Sequence, residues 1–387
     1  MVPLSVSRAI PLALIALGLS APGTRAETDE PATADSLRKY RFLAKTAREK
    51  KQTDEALGYY GQVIRYKPDD LKAHYFSGSL LANKGDTAAA KRHLLICVSL
   101  DSLHVNSNVL LTQLYLRQED ADSAWVFLEP VLSLKPSVSK YRQFRREIAD
   151  LHRIQGNHKA AISHYEGLAA SSGTDARQVF DLLSQMHEAN GDTEQALSWS
   201  LRALSSPASE SGPSTVEILN RRLELQTGSG DRPGAYETLR KLVRLDSLSS
   251  YSYFDRMAAV AAEAGDLPQQ LEGLEGMVEA QPHDLGPLAT LVELHLRVKD
   301  LKAASTWLRR GLAVNGKHGH LQLLQGELLV LQGDEDAAIA AFERSRQDPE
   351  WEKIAQQRIW QLRPRETEEE KLKREFVGGD EEDQTGG

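Results

Sequence analysis

His152, His158 and His164 are the residues of this 387-residue chain best spaced to meet around a metal ion. They offer no i, i+4 pair on one helix, and a structural zinc ion normally takes four ligands, so their spacing points to packing rather than to metal. His318-Gly319-His320 falls at a turn and reads as a solvated loop that would hold a metal only weakly. Glu217 and Glu224 stand seven apart, the spacing of a solvated helix face rather than of an acid–base pair. Cys97, the single cysteine, sits between Ile96 and Val98 and reads as a buried, unreactive thiol. The run Gly228-Ser229-Gly230-Asp231-Arg232-Pro233-Gly234 lacks the dinucleotide pattern and joins two helical segments. No H-E-x-x-H, G-x-x-x-x-G-K or G-x-S-x-G motif is present. The expectation is a chain with no catalytic residues, no metal site and no cofactor.

The elements that would position any site are helical. Aromatic content is 6%, which disfavours an all-β sandwich and suits helices built on Ala and Leu. Hydrophobic content of 41% and charged content of 26% are those of a folded chain. One cysteine excludes an intramolecular disulfide framework. A net charge of −8 argues against a general nucleic-acid binder, because phosphate contacts need a basic surface. Near the N-terminus, Arg8 precedes an apolar stretch from Ala9 to Leu19, followed by Thr24-Arg25-Ala26. A charged start, a short apolar middle and small residues three and one places before a cut predict a signal peptide over 1–26, cleaved after Ala26. The stretch is too short to span a bilayer as a mature helix, although retention as an N-terminal anchor is the alternative. Loss of Arg8 and Arg25 would take the net charge from −8 to −10. Export to the periplasm or the cell exterior is expected, with a short linker over 27–36 and no later membrane span.

Beyond the linker the sequence repeats. Segments of 34 residues open at Leu37, Leu71 and Val105, and further ones at Arg142, Arg177, Val216, Tyr251, Leu285 and Gly319. Each holds a helix-period pattern, a polar turn and a second such pattern. The turn often carries Gly followed by Asp or Asn, as in Gly85-Asp86, Gly156-Asn157, Gly191-Asp192 and Gly333-Asp334. Such a Gly closes one helix in a left-handed conformation, and the Asp or Asn caps the next. Five residues past the turn stands a small residue, Ala56, Ala90, Ala124, Ala161, Ala196, Ala235, Ala304 or Ala338, and four further on usually a bulky one, such as Tyr60, Leu94, Leu128 or Phe342. Two departures stand out: Gln270 at the small position and Ser200 at the bulky one.

This pattern resembles the tetratricopeptide repeat family, whose period is 34 residues. The resemblance implies an all-α fold: helix–turn–helix units A and B stacked as a solenoid, a right-handed superhelix with a concave groove, about nine repeats long with a C-terminal capping helix. The expected organisation is a first block of five repeats over 37–204, a Ser/Pro-rich loop or hinge over 205–215, and a second block of four over 216–348. A capping helix over 349–363 and an acidic tail over 364–387 follow. In the family, helix A positions 2, 5, 9 and 12 face the groove. Carried over here, they give Arg38, Arg41, Lys45 and Arg48 in the first repeat, Lys72 and Tyr75 in the second, Asn106 and Gln113 in the third, and Arg146 and Arg153 in the fourth. Later repeats supply Asp181, Glu188, Glu217, Glu224, Asp255, Glu293 and Glu327, so the groove is expected to run from basic to acidic. The function implied is a non-enzymatic scaffold for a protein or peptide partner, in envelope assembly, secretion or polysaccharide export. A glycan- or peptidoglycan-recognising accessory subunit is the alternative, with Tyr75 as the only aromatic ring among those groove positions. The acidic tail is a candidate internal competitor for the basic end.

Overall fold

The computed structural model describes residues 34–135, 138–170, 176–208 and 212–364. The expected signal peptide, most of the linker and nearly all of the expected tail lie outside the described residues. Among those residues there are nineteen α-helices, one short 3-10 turn at Ser247–Ser249 and no strand. Among the described residues sixteen of the helices pack as eight hairpins of consecutive helices. The chain divides into two compact units, one ending at Leu151 and one beginning at His152.

The N-terminal unit holds α1 (Ala34–Glu49) with α2 (Thr53–Tyr66), α3 (Leu71–Lys84) with α4 (Thr87–Leu100), and α5 (Val105–Leu116) with α6 (Ala121–Leu134). Most of α7 (Ser139–Ile154) also belongs to it. The second hairpin shows why the sequence folds this way. Asp70 caps α3 by accepting from the Ala73 N–H at 2.9 Å. Gly85 ends that helix at φ 91°, and Asp86 caps α4 by accepting from the Ala89 N–H. The first and third hairpins turn on Lys51 and Glu119, held at φ 59° and 58° where the second has Gly85. Inside each crossing, Ala56, Ala90 and Ala124 are fully buried. Gly78 of α3 lies so close to α4 that a Cβ there would meet Leu94 at 2.8 Å.

The C-terminal unit contains α8 (His158–Ala169), α9 (Ala176–Ala189) with α10 (Thr193–Ser205), and α11 (Thr215–Ser229) with α12 (Arg232–Leu245). These are followed by α13 (Ser250–Ala264) with α14 (Leu267–Ala280), α15 (Leu285–Arg297) with α16 (Leu301–Val314), and α17 (Gly319–Gln332) with α18 (Glu335–Ser345). The last helix, α19 (Glu352–Leu362), buries Ala355 and Ile359 against Leu323, Ala338 and Phe342. It covers apolar surface that α17 and α18 would otherwise expose, as a terminal repeat requires.

The two departures from the repeat pattern have physical solutions. Between α13 and α14 the close approach moves from Gln270 to Gly273, where a Cβ would lie 2.6 Å from the Ala258 nitrogen and 2.8 Å from the Phe254 carbonyl oxygen. In α10, Ser200 leaves room that Arg222 of the next hairpin enters, donating from Nη1 to the Leu197 carbonyl and to Ser200 Oγ, both at 2.8 Å. The segment read as a loop or hinge over 205–215 lies inside the C-terminal unit. Arg177, buried at the start of α9, donates to the carbonyls of Ser206 (3.0 Å) and Pro213 (2.9 Å) and to Thr215 Oγ1 (2.9 Å).

Candidate functional site

The basic positions of the first hairpin are only partly available to a ligand. Arg41 donates through Nε to Asp70 at 3.1 Å and ion-pairs with the same carboxylate, whose acidity burial opposes but the Ala73 N–H and Arg41 strengthen. Arg48 lays its guanidinium 3.7 Å over the centre of the Phe76 ring. Arg38 is exposed, as is Lys45, which approaches Glu49 at 3.8 Å. In the following hairpins Lys72 and Asn106 are exposed and Gln113 is half-buried. Tyr75 is half-buried, with His104 edge-on at 5.3 Å and Phe76 tilted against it at 5.1 Å. Arg146 and Arg153, half-buried on α7, both have partners.

Of the seven acidic positions of the C-terminal unit, Glu188 and Asp255 are exposed, whereas four others are paired with bases. Asp181 pairs with Arg221 at 3.0 Å, Glu224 with Arg256 at 2.9 Å, Glu293 with His320 at 2.8 Å and Glu327 with Arg358 at 2.9 Å. In each pair the base comes from the A helix that follows, or from α19. Glu217 is engaged in a capping box with Ser214 at the start of α11. Three of the bases were missed because Arg221 and Arg256 stand one place beyond the positions counted as groove-facing, and Arg358 lies on the capping helix, where none were counted. Their 31- to 40-residue offsets from the acids were the available signal.

The histidines serve the packing. His152 and His164 are buried and stack at 5.3 Å with rings 7° apart. His318 caps α17, and His320 is no solvated loop residue: its ring stacks on Trp351 at 4.0 Å. Cys97 is buried, its thiol pushed up to about 11 by burial. No group of three or more His, Cys, Asp or Glu side chains among the described residues is placed to hold a metal ion.

One concave feature joins these pairs to an apolar floor. A cavity of about 420 Å³ opens between α15, α17 and α19. Leu296, Val330, Leu331, Phe342 and Leu362 line it, with Glu293, Arg297, Glu327 and Arg358 among its polar lining residues. Val330 and Leu331 stay 38% and 48% exposed, although neither stands at a chain end. Two of the cross-helix ion pairs, Glu293–His320 and Glu327–Arg358, thus border an apolar recess. Such an arrangement can seat an apolar side chain of another molecule; it offers no nucleophile and no proton-transfer pair.

The pattern described as Tetratricopeptide repeat matches residues 43–91 and 290–350, one stretch in each unit. These two stretches are tetratricopeptide repeats. The chain's helix–turn–helix hairpins and terminal cap are the fold that such repeats build, and its second matched stretch includes most of the cavity's lining. No curated protein sequence matches the chain. Among solved structures it is similar to MamA from Desulfovibrio magneticus RS-1, at 17% identity over 44% of this chain and 95% of that one, with a TM-score of 0.33. It is similar to the Naa15/Naa10 complex bound to HypK-THB, at 14% identity over 85% of this chain and 66% of that one, with a TM-score of 0.42. The TPR2AB domain of yeast Sti1 is 11% identical over 67% of this chain and 96% of that one, with a TM-score of 0.33. Repeats of this kind support a protein–protein interaction scaffold in general terms, and no helix among the described residues is long and apolar enough to cross a membrane.

Proposed function

We propose that this protein is an exported, non-enzymatic scaffold that holds a segment of another protein, anchored in the recess between α15, α17 and α19. The carrying observation is the exposure of Val330 and Leu331 beside a cavity whose bordering acids already have basic partners. A partner that brings an apolar side chain gains burial there without having to displace a solvated charge. The exposed Arg38, Lys45, Lys72 and Asn106 of the N-terminal unit are a second surface available to the partner. Export rests on the charged start, apolar stretch and small-residue cut over 1–26. Envelope assembly, secretion or polysaccharide export is the setting. The glycan reading is the weaker one, since Tyr75 spends much of its ring on His104 and Phe76.

The test is affinity capture from the periplasmic fraction with the full chain and with Val330→Asp/Leu331→Asp. A specific partner recovered by the parent chain and lost by the variant is the expected result. Equal recovery by both would remove the recess as the anchor, and recovery of nothing above background would count against the scaffold itself.

A further inference from the structure

The outer face of α1 repeats a stacking position that is covered in three other hairpins. Phe76 of α3 packs on Tyr60 of α2, ring centroids 5.7 Å apart. Leu110 of α5 packs in the cluster that contains Leu94 of α4, and Leu324 of α17 in the cluster that contains Leu308 of α16. In all three cases a residue of an A helix meets the bulky residue sixteen places earlier, on the B helix of the hairpin before. Phe42 is the residue of α1 at this position, 34 places before Phe76, and it is 68% exposed. Sixteen places before it stands Ala26, and residues 20–33 contain no large aliphatic or aromatic side chain. The immediately preceding sequence therefore has nothing to play the part that Tyr60 plays for Phe76.

The polar side chains around Phe42 specify what would cover it. Lys39 occupies the place where α3 buries Ala73 and α5 buries Ser107. Arg38 and Lys45 flank Phe42 on the same exposed face, one turn to either side. From 34 to 52 the chain carries seven cations against two carboxylates, although its net charge is −8. A face shaped only for solubility would not keep a phenylalanine at its centre. A second copy of the same face would bring like charges together.

We propose that this face docks an acidic, apolar-faced helix of another protein, which takes the place that α2 holds against α3. Its apolar side chain covers Phe42, and its carboxylates meet Arg38, Lys39 and Lys45. This surface is separate from the recess at α19, so either can fail without the other.

The experiment places the photo-crosslinker benzoylphenylalanine at Arg38 in the full chain, irradiates cells of its native host, and identifies the captured segment by mass spectrometry. The expected capture is a segment of another protein with apolar residues at helical spacing and carboxylates beside them. Its yield should fall about fivefold or more in Phe42→Asp and in Lys39→Glu/Lys45→Glu. These side chains are exposed, and an unchanged helical circular dichroism signal shows that the variants fold. Capture only of lipid, of residues 1–33 or 365–387 of the same chain, of a second copy, of a segment without carboxylates, or of nothing beyond a crosslinker at the exposed Lys302 would overturn the proposal.

Discussion

The imidazoles of His74 and His93 meet Nδ1 to Nδ1 at 3.0 Å, joining α3 to α4. His74 also places Nε2 2.9 Å from the Pro68 carbonyl, which can only accept. Nε2 of His74 therefore carries a proton, and in the neutral pair His93 Nδ1–H donates to His74 Nδ1. Burial, then the His74 ring and Arg92, push the His93 imidazole down to about 4. An imidazole with a lowered value in the fold favours the folded state only while neutral. Stability should thus be full above the ordinary value of about 6.5 and decline as pH falls toward 4, by about 2 kcal/mol for a partly exposed ring. Denaturant unfolding at pH 7.5 and 4.5 measures this, and His93→Gln should remove that part of the pH dependence.

Lys299 should gain from replacement by glycine. It ends its hairpin's first helix at φ 62°, the place that Gly265 and Gly333 fill in the neighbouring hairpins. A side chain there costs about 1 kcal/mol, which glycine avoids. Lys299→Gly is expected to raise the thermal midpoint, whereas Gly333→Ala, at φ 82°, should lower it.

Gly273 should be the least tolerant glycine in the α13–α14 hairpin. Its Cβ would meet backbone atoms of α13 rather than a movable side chain, so the helices must part. A loss of about 2–3 kcal/mol is expected for Gly273→Ala, read by urea unfolding. Gly228→Ala, with open space around it, serves as the control.

Removing Arg221 should expose the cost of burying Asp181. Burial raises that carboxyl's affinity for protons, opposed first by Arg221. With Arg221→Met the remaining side-chain donor is Gln185 Nε2 at 2.8 Å. The variant should lose about 2–3 kcal/mol at pH 7. The raised carboxyl takes up its proton before the unfolded one does, so the deficit should shrink as pH falls toward 4.

Arg177→Met should loosen the chain around Ser205–Ser214, since three anchoring hydrogen bonds disappear together. Limited proteolysis should then cut this segment several-fold faster than in the parent chain, while the described hairpins stay resistant. An unchanged cutting rate would show that the loop is held without Arg177.

The hairpins themselves were legible in the sequence because their causes are local. A helix period, a left-handed Gly, an Asp cap and an Ala at the crossing act within a few residues. Ala56, Ala90, Ala161 and Ala338 are fully buried for that reason. Substitutions that solve the same local problem by other means were not legible. Gly273 replaces the small residue three places away from its usual position, and Lys51, Glu119 and Lys299 take a glycine's backbone conformation.

Surface charge was read least well. Asp181, Glu224, Glu293 and Glu327 looked like an acidic wall when the A helices were considered one at a time. Their partners stand 27 to 40 residues away and reach them only once neighbouring A helices lie side by side. The recess between α15, α17 and α19 has the same origin: no segment contains it, and three helices must pack before Val330 and Leu331 acquire walls. Sequence alone determined which residues form helices and where they turn, because those choices are settled by neighbours along the chain. Tertiary structure decided which charges remain free and where apolar surface stays open, because both depend on side chains that only stacking brings within reach.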